Sequence, residues 1–90
     1  MIETNVKIIN PLGLHARAAA QLVKLAGKFQ SKIQLIRQDN TVEADAKSIL
    51  SVLTLAASKG TGLQLCIEGV DELEAVNAIV SLIENGFGEI

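Results

Sequence analysis

The apolar residues of this ninety-residue chain switch repeatedly between the spacing of a strand and that of a helix, and this alternation limits the available folds. A period of about two residues is typical of a strand with one buried face, and about 3.6 residues of an amphipathic helix. Taken in order, the segments predict β-α-β-β-α-β-α. A chain of this length holds one small core, so we expect a single domain over residues 1–90. The simplest arrangement is an α+β fold with three helices on one face of a small antiparallel sheet.

The first two elements are separated by turn-forming residues. A strand is expected over residues 2–9, and the turn residues at positions 10–13 end it. From Ala16 the spacing becomes helical, and Gly27 is a natural stop. The helical spacing predicts a buried face made of Ala16, Ala19, Ala20, Val23 and Ala26.

Three further strands are expected. Two of them, over residues 32–37 and 41–44, are joined by Asp39-Asn40, which favours a tight hairpin turn with positive φ. The third covers residues 62–68 and alternates apolar and polar side chains. It contains the single cysteine, Cys66, which we interpret as a small apolar filler because no activating partner is near it in sequence.

Two more helices are predicted. One runs from Lys47 to Ser58 and ends before Gly60. The other begins at Asp71, which forms a capping-box pattern with Glu74. Its expected buried face consists of Leu73, Val76, Ile79, Val80 and Ile83.

The end of that last helix has a recognisable pattern. Gly86 stands where a left-handed cap is favoured, and Phe87 is placed to fold back on the last turn.

Composition excludes several classes of protein. One cysteine cannot form an internal disulfide, and one histidine and one cysteine cannot supply a structural zinc site. The net charge of −2 and the near absence of aromatic residues argue against nucleic-acid binding, including by an RNA-binding α/β module, because the two phenylalanines lie at helix ends. No apolar run or signal pattern suggests a membrane, so we expect a cytoplasmic protein without metal or cofactor.

The charges are unevenly distributed along the chain. Residues 1–47 carry seven basic and four acidic groups, whereas residues 48–90 carry one basic and six acidic groups. The basic side chains Arg17, Lys24 and Lys28 share one face of the first predicted helix with Gln21. This face predicts an acidic partner, although a charged outer face is also what solvation alone requires.

The only histidine, His15, lies at the junction between a turn and the first helix. Helix N-termini present free N–H groups and a partial positive charge, which favour a phosphate and a neutral imidazole. Arg17 can reach back as a forked donor to phosphoryl oxygens, and Gly13 allows an unusual turn. These residues suit a histidine that accepts and releases a phosphoryl group; the alternative is a solvated cap residue.

The second predicted helix has more apolar residues than one buried face requires. We expect Ile49, Leu50 and Leu53 to form an exposed patch for a partner, the alternative being a deeply buried helix. Ser48 stands at the helix start, where serine commonly caps. A phosphate on Ser48 would place negative charge beside this patch and could act as a switch.

Two motifs resemble the histidine-containing phosphocarrier family, HPr, and its nitrogen-regulatory relatives, NPr. Residues 13–17, Gly-Leu-His-Ala-Arg, are similar to the active-centre motif, and residues 47–50, Lys-Ser-Ile-Leu, to the regulatory-serine motif. Residues 55–60 follow in the family's order, so the resemblance covers essentially the whole chain. It implies an open-faced β-sandwich of four antiparallel strands with three helices on one side.

The resemblance also implies a function. His15 would be phosphorylated on Nδ1 by enzyme I, with phosphoenolpyruvate as the ultimate donor, and would pass the group to an EIIA-type protein with help from Arg17. Lys24, Lys28, Ile49, Leu50 and Leu53 would contribute to partner docking, and Ser48 would be the target of a serine kinase/phosphorylase. Such a carrier is not itself an enzyme, and we expect a monomer.

One position departs from the common family motif. Ala18 stands where proline usually follows the arginine, which adds a free N–H and loosens the start of the helix slightly. The resulting Arg-Ala-Ala-Ala run is similar to some nitrogen-branch members, so an NPr-type regulatory carrier is one alternative function. A non-catalytic binding module controlled by Ser48 is the other.

Overall fold

The computed structural model describes residues 1–89, which form a four-stranded antiparallel sheet and three α-helices. This is the predicted α+β arrangement. The elements, in chain order, are β1 (Ile2–Lys7), α1 (Ala16–Ala26), β2 (Lys32–Arg37), β3 (Glu43–Asp45), α2 (Ile49–Thr54), β4 (Gly62–Glu68) and α3 (Glu72–Glu84). A short 3-10 turn over Gly86–Gly88 follows α3.

The strands lie in the order β1-β4-β2-β3, so the last strand of the sequence occupies the interior of the sheet. Their registers are defined by Thr4 opposite Leu65 and by Leu35 opposite both Leu65 and Ala44. Alternation along β4 buries Leu63, Leu65 and Ile67, as predicted, and these side chains form one core with the helices. The other face of the sheet carries polar and half-buried side chains.

Two helix faces differ from the predicted ones. In α1 the buried residues are Ala18, Ala19, Leu22 and Ala26, whereas Ala16 and Ala20 are exposed. The helix is rotated so that Leu22, which has more apolar surface than alanine, enters the core. In α3 the predicted core residue Leu73 is 62% exposed, and Ala75 is buried instead.

The hairpin and α2 differ from prediction because side chains form hydrogen bonds with the backbone in both segments. Strand β3 begins at Glu43, and the left-handed residue of the turn is Thr41 (φ 59°), not Asp39 or Asn40. The Asn40 side chain accepts from the Val42 N–H at 3.0 Å, so this N–H is not available to a neighbouring strand and residues 41 and 42 lie outside β3.

Helix α2 ends at Thr54, four residues earlier than predicted, and Ala56 turns the chain with a φ of 48°. The Arg37 guanidinium binds the carbonyl oxygens of Leu55 (2.8 Å) and Ala56 (3.2 Å). Those carbonyls therefore have partners outside the helix, and a tight turn replaces the last predicted helical turn.

The predicted capping box at α3 is also wrong. Asp71 is the first residue before the helix, but its carboxylate accepts from the backbone of Gln30 and Ser31 instead of from α3. Glu72, not Glu74, accepts from the Gly69 N–H, at 3.2 Å. Gly86 has the expected left-handed conformation (φ 60°), and Phe87, expected to fold back on the last turn, is buried in the short 3-10 turn that packs against α3.

Cys66 is not a core residue. It is half-buried on the face of the sheet away from the core, with its Sγ 3.9 Å from Glu3 Oε2. Burial and the nearby Glu3 carboxylate raise the pKa of the Cys66 thiol. A thiol with a raised pKa is a poor nucleophile, which agrees with the prediction that Cys66 has no catalytic role.

Candidate functional site

His15 is the residue immediately before α1, with extended backbone angles (φ −72°, ψ 178°). The prediction that it stands at the junction of turn and helix is confirmed. Its side chain makes no capping bond to the first turn and is 24% exposed. The helix geometry leaves the N–H groups of Ala16, Arg17 and Ala18 without intrahelical partners.

The loop before His15 is held by a close backbone approach. Leu14 donates its N–H to the Ala57 carbonyl at 2.8 Å, and Gly13 has a φ of 67°. A Cβ on Gly13 would lie 2.5 Å from the Ala57 carbonyl oxygen and 2.8 Å from the Cα of Ser58. Only glycine fits here, and this approach ties the position of His15 to the segment that follows α2.

The sequence prediction missed the residue that contacts the His15 ring. The Nε2 atom of His15 meets Oε2 of Glu89, which lies 74 positions later in the chain. Three successive residues with positive φ, Gly86 (60°), Phe87 (56°) and Gly88 (76°), turn the chain back to bring it there. Buried Phe87 anchors this turn in the core.

Asn10 holds the other oxygen of the Glu89 carboxylate. Its Nδ2 donates to Glu89 Oε1 at 3.0 Å and to the Gly13 carbonyl at 2.8 Å. Asn10 is fully buried, and its Oδ1 has no hydrogen-bond partner within residues 1–89. The hydrogen bonds from Asn10 and His15, in that order of size, hold the pKa of the Glu89 carboxyl below its usual value, and the charge of Arg17 adds to this.

Arg17 is exposed on the first turn of α1 and lines a shallow cleft with Glu89. The remaining walls are Pro11, Leu12 and Gly88. The cleft therefore brings the positive charge of Arg17, in the first turn of α1, close to Glu89, the residue whose carboxylate contacts the His15 ring. An anion with several oxygens, such as a phosphoryl group, is the chemistry that this combination suits.

A second region surrounds the start of α2. Ser48 has extended backbone angles and accepts from the Ser51 N–H at 3.3 Å, so it caps the helix as expected. Ile49, Leu50 and Leu53, which we call the apolar patch, are exposed, and Leu50 is the most exposed of the three at 74%. The alternative that this helix is buried throughout is therefore wrong. Lys24 and Lys28 are exposed on and just beyond α1, as predicted.

Weak sequence signals did exist for the two missed residues. Asn10 is one of the turn residues predicted at positions 10–13, but its burial depends on tertiary packing that periodicity does not describe. The Gly-Phe-Gly run at positions 86–88 indicates a sharp reversal, but no local pattern says what the next side chain meets.

Residues 1–89 contain no cluster of three His, Cys, Asp or Glu side chains placed to bind a metal ion. None of the helices in that range combines the length and the apolar character needed to cross a membrane.

Comparison with known proteins agrees with this geometry. A family model described as "PTS HPr component phosphorylation site" matches residues 2–85. Phosphocarrier protein HPr of Cupriavidus necator is 48% identical over 89 residues, which cover 99% of this chain and 98% of that protein. The crystal structure of HPr from Thermoanaerobacter tengcongensis has a TM-score of 0.92 at 43% identity and covers 100% of this chain and 99% of its own.

A further structure from the same organism, described as an HPr dimer, has a TM-score of 0.78 at 44% identity, with 99% of this chain and 100% of that chain covered. The similarity thus extends over the full length of both sequence relatives and solved structures. The family resemblance is confirmed: the chain belongs to the HPr family of phosphocarrier proteins of the phosphotransferase system.

Proposed function

We propose that His15 accepts a phosphoryl group on Nδ1 from phosphorylated enzyme I and passes it to an EIIA-type protein. The observation that carries this proposal is the orientation of the ring: Nε2 of His15, the residue before α1, contacts Glu89, and Nδ1 has no hydrogen-bond partner within residues 1–89. The first-turn N–H groups and the exposed Arg17 can then bind the phosphoryl oxygens. In this role the protein is a covalent intermediate that turns over no small substrate of its own.

The test is incubation of the protein with enzyme I and labelled phosphoenolpyruvate, followed by measurement of acid-labile phosphate. We expect stoichiometric labelling of the wild type and none of His15→Ala. Arg17→Ala is expected to label more slowly, whereas Gln21→Ala, on the same face one turn further on, serves as the matched control. Labelling of His15→Ala at the wild-type level would contradict the proposal.

We propose that these partners dock on the apolar patch and on Lys24 and Lys28. The patch and both lysines are exposed, helices α1 and α2 are in contact, and the two positive charges would complement an acidic partner. Leu50→Ser should raise the enzyme I concentration needed for half-maximal labelling. Leu73→Ser, an equally apolar and exposed site on α3, is the control, and equal effects of the two would argue against a specific surface.

Phosphorylation of Ser48 is proposed as a regulatory step that weakens this docking. Ser48 adjoins Ile49 and Leu50, so a phosphate there would place about two negative charges beside the patch without disturbing the helix start. Ser48→Asp is expected to slow labelling of His15, and Ser81→Asp, at an exposed serine on α3, is the control. If Ser48 controlled a binding partner while His15 never accepted phosphate, the alternative of a non-catalytic binding module would hold.

The protein that accepts the phosphoryl group from His15 would determine which branch of the phosphotransferase system this carrier serves. The Arg-Ala-Ala-Ala run that begins at Arg17 is similar to that of some nitrogen-branch members, which makes an NPr-type role the second candidate. Phosphorylated protein should be offered a sugar-type and a nitrogen-type EIIA at equal concentration, and the faster acceptor identifies the branch.

The protein is proposed to act as a cytoplasmic monomer. Light scattering at working concentration tests this, because a relative is described as a dimer. A mass of twice 9.5 kDa would overturn it.

A further inference from the structure

We propose that Glu89 is a positioning residue, which keeps the proton of the His15 ring on Nε2 and so presents the Nδ1 lone pair to the incoming phosphorus. This inference rests on the proposed function, since it names the group that orients the phosphoryl acceptor. It concerns the two residues, Glu89 and Asn10, that connect the end of the chain with the loop before α1.

The Glu89 side chain is fixed at both of its oxygens. Oε2 meets His15 Nε2, and Oε1 accepts from Asn10 Nδ2 at 3.0 Å. Asn10 is fully buried and also donates to the Gly13 carbonyl at 2.8 Å, within the loop that sets the position of His15. One amide group therefore holds both the carboxylate and the loop, and the carboxylate side chain is itself only 14% exposed.

The protonation state of Glu89 determines which ring nitrogen can react. Hydrogen bonds from Asn10 and His15 keep the pKa of the Glu89 carboxyl below its usual value, so it is ionised near neutral pH. An ionised carboxylate can only accept hydrogen bonds. A neutral His15 ring that contacts it must present its N–H at Nε2, and Nδ1 then carries the lone pair.

The same contact contributes during transfer. The Nδ1 lone pair forms the new N–P bond, while the bond from phosphorus to the donor breaks with its electron pair on the donor. The proton stays on Nε2, and the ring gains one positive charge, which faces the Glu89 carboxylate. Donation to the next protein follows the reverse course, so Glu89 acts in both directions.

Arg17 and Glu89 therefore have separate roles on the phosphorylated His15 side chain. Arg17 is placed for the phosphoryl oxygens, and Glu89 for the ring nitrogen that does not carry phosphorus. Their side chains line the same cleft, and the charge of Arg17 also helps to keep Glu89 ionised.

The decisive experiment is ¹⁵N nuclear magnetic resonance of the ring nitrogens, because the chain has one histidine and its signals are unambiguous. At a pH where the ring is neutral, the wild type should show protonated Nε2 and unprotonated Nδ1. Glu89→Ala should give a mixture of both tautomers, and Glu84→Gln, an exposed carboxylate on α3, should match the wild type. Identical tautomer populations in the wild type and Glu89→Ala would overturn the proposal.

Single-turnover transfer provides a second measurement. Glu89→Gln keeps the shape of the side chain but removes its charge, and we expect acceptance from enzyme I and return to enzyme I each to slow about tenfold, as for loss of a hydrogen bond between charged groups. Rates equal to the wild type in both directions would overturn the proposal. If the wild type itself accepts no phosphate, the proposed function fails, while the ring-nitrogen measurement still decides the role of Glu89.

Discussion

Helices α1 and α2 both begin after a residue with extended backbone, yet these two residues use their side chains differently. Ser48 turns its hydroxyl onto the first turn of α2 and accepts from the Ser51 N–H. His15 makes no such bond and directs its ring towards Glu89. A cap of the serine type stabilises a helix by about 1 kcal/mol, so α1 lacks a contribution that α2 has.

The same backbone arrangement thus stabilises the helix at the start of α2 and leaves room for chemistry at the start of α1. Free first-turn N–H groups at α1 remain available to an anion, whereas one of those at α2 is already satisfied. Residues at functional positions often lack a locally stabilising interaction such as a helix cap, and contacts elsewhere in the protein compensate for that loss. Here the close approach of Gly13 to Ala57 and the Asn10 contacts replace the missing cap.

The largest expected effect comes from converting the α1 start into one like that of α2. His15→Asn places a favourable capping residue there but removes the acceptor nitrogen. We expect complete loss of acid-labile phosphate, while the free energy of unfolding in urea stays within about 1 kcal/mol of the wild type. A fall in stability much beyond that value would show that the His15 side chain is structural, contrary to the comparison.

Gly13→Ala should break the support that α1 has in place of a cap. A left-handed alanine alone costs roughly 1–2 kcal/mol, and overlap with the Ala57 carbonyl oxygen raises the expected loss to about 3 kcal/mol. Acceptance of phosphate should slow as well, because the loop carries His15.

Gly60→Ala is the matched control for that change. Gly60 also has a positive φ (93°), but a Cβ there would meet no atom within 4 Å. We expect a loss of roughly 1–2 kcal/mol in urea unfolding and unchanged phosphate acceptance. Equal losses for both glycine variants would mean that the backbone approach at Ala57 contributes little.

The sequence could predict whatever depends on neighbours along the chain. The bounds of α1 and of strands β2 and β4 match the predicted ones, since periodicity and the stop at Gly27 are local signals. The positions of His15 and Ser48 at helix starts could be predicted because turn and helix signals are also local. Their roles in phosphate transfer and regulation stay predictions.

Features that depend on distant segments could not be predicted. Glu89 reaches His15 across 74 positions, and Asp71 binds Ser31 across 40. The capping-box pattern at Asp71 failed because a tertiary partner competes for the carboxylate. Leu22 is buried in place of Ala20 because of how α1 is rotated about its own axis against the core. Periodicity does not determine this rotation to better than a fraction of a helical turn.

Ser48→Ala removes the capping hydroxyl that α2 has and α1 lacks. Loss of the cap should lower the free energy of unfolding by about 0.5–1 kcal/mol, towards the low end because the Ser48–Ser51 bond is long at 3.3 Å. Phosphate acceptance should be unaffected, since the unmodified hydroxyl makes no contact with the His15 site. Ser58→Ala, which removes an exposed hydroxyl outside the helices, should change stability by less than about 0.5 kcal/mol.

Asp71, the residue before α3, also makes no capping bond to its own helix, and loss of its charge should change stability less than the substitutions above. The Asp71 carboxylate accepts from Ser31 and Gln30, and these bonds, with the Ser31 side chain first, lower the pKa of Asp71 from its ordinary 3.8. A carboxyl with a lowered folded-state pKa contributes stability that is fully present above its unfolded value and is lost as the pH falls through the folded value. The urea midpoint of the wild type should therefore decline as the pH falls from about 5 through the lowered pKa of Asp71, and Asp71→Asn, already without the charge, should decline less steeply over that range. Parallel declines would mean that Asp71 titrates alike in folded and unfolded chains, and that its contacts with the α1–β2 connection do not favour the charged form.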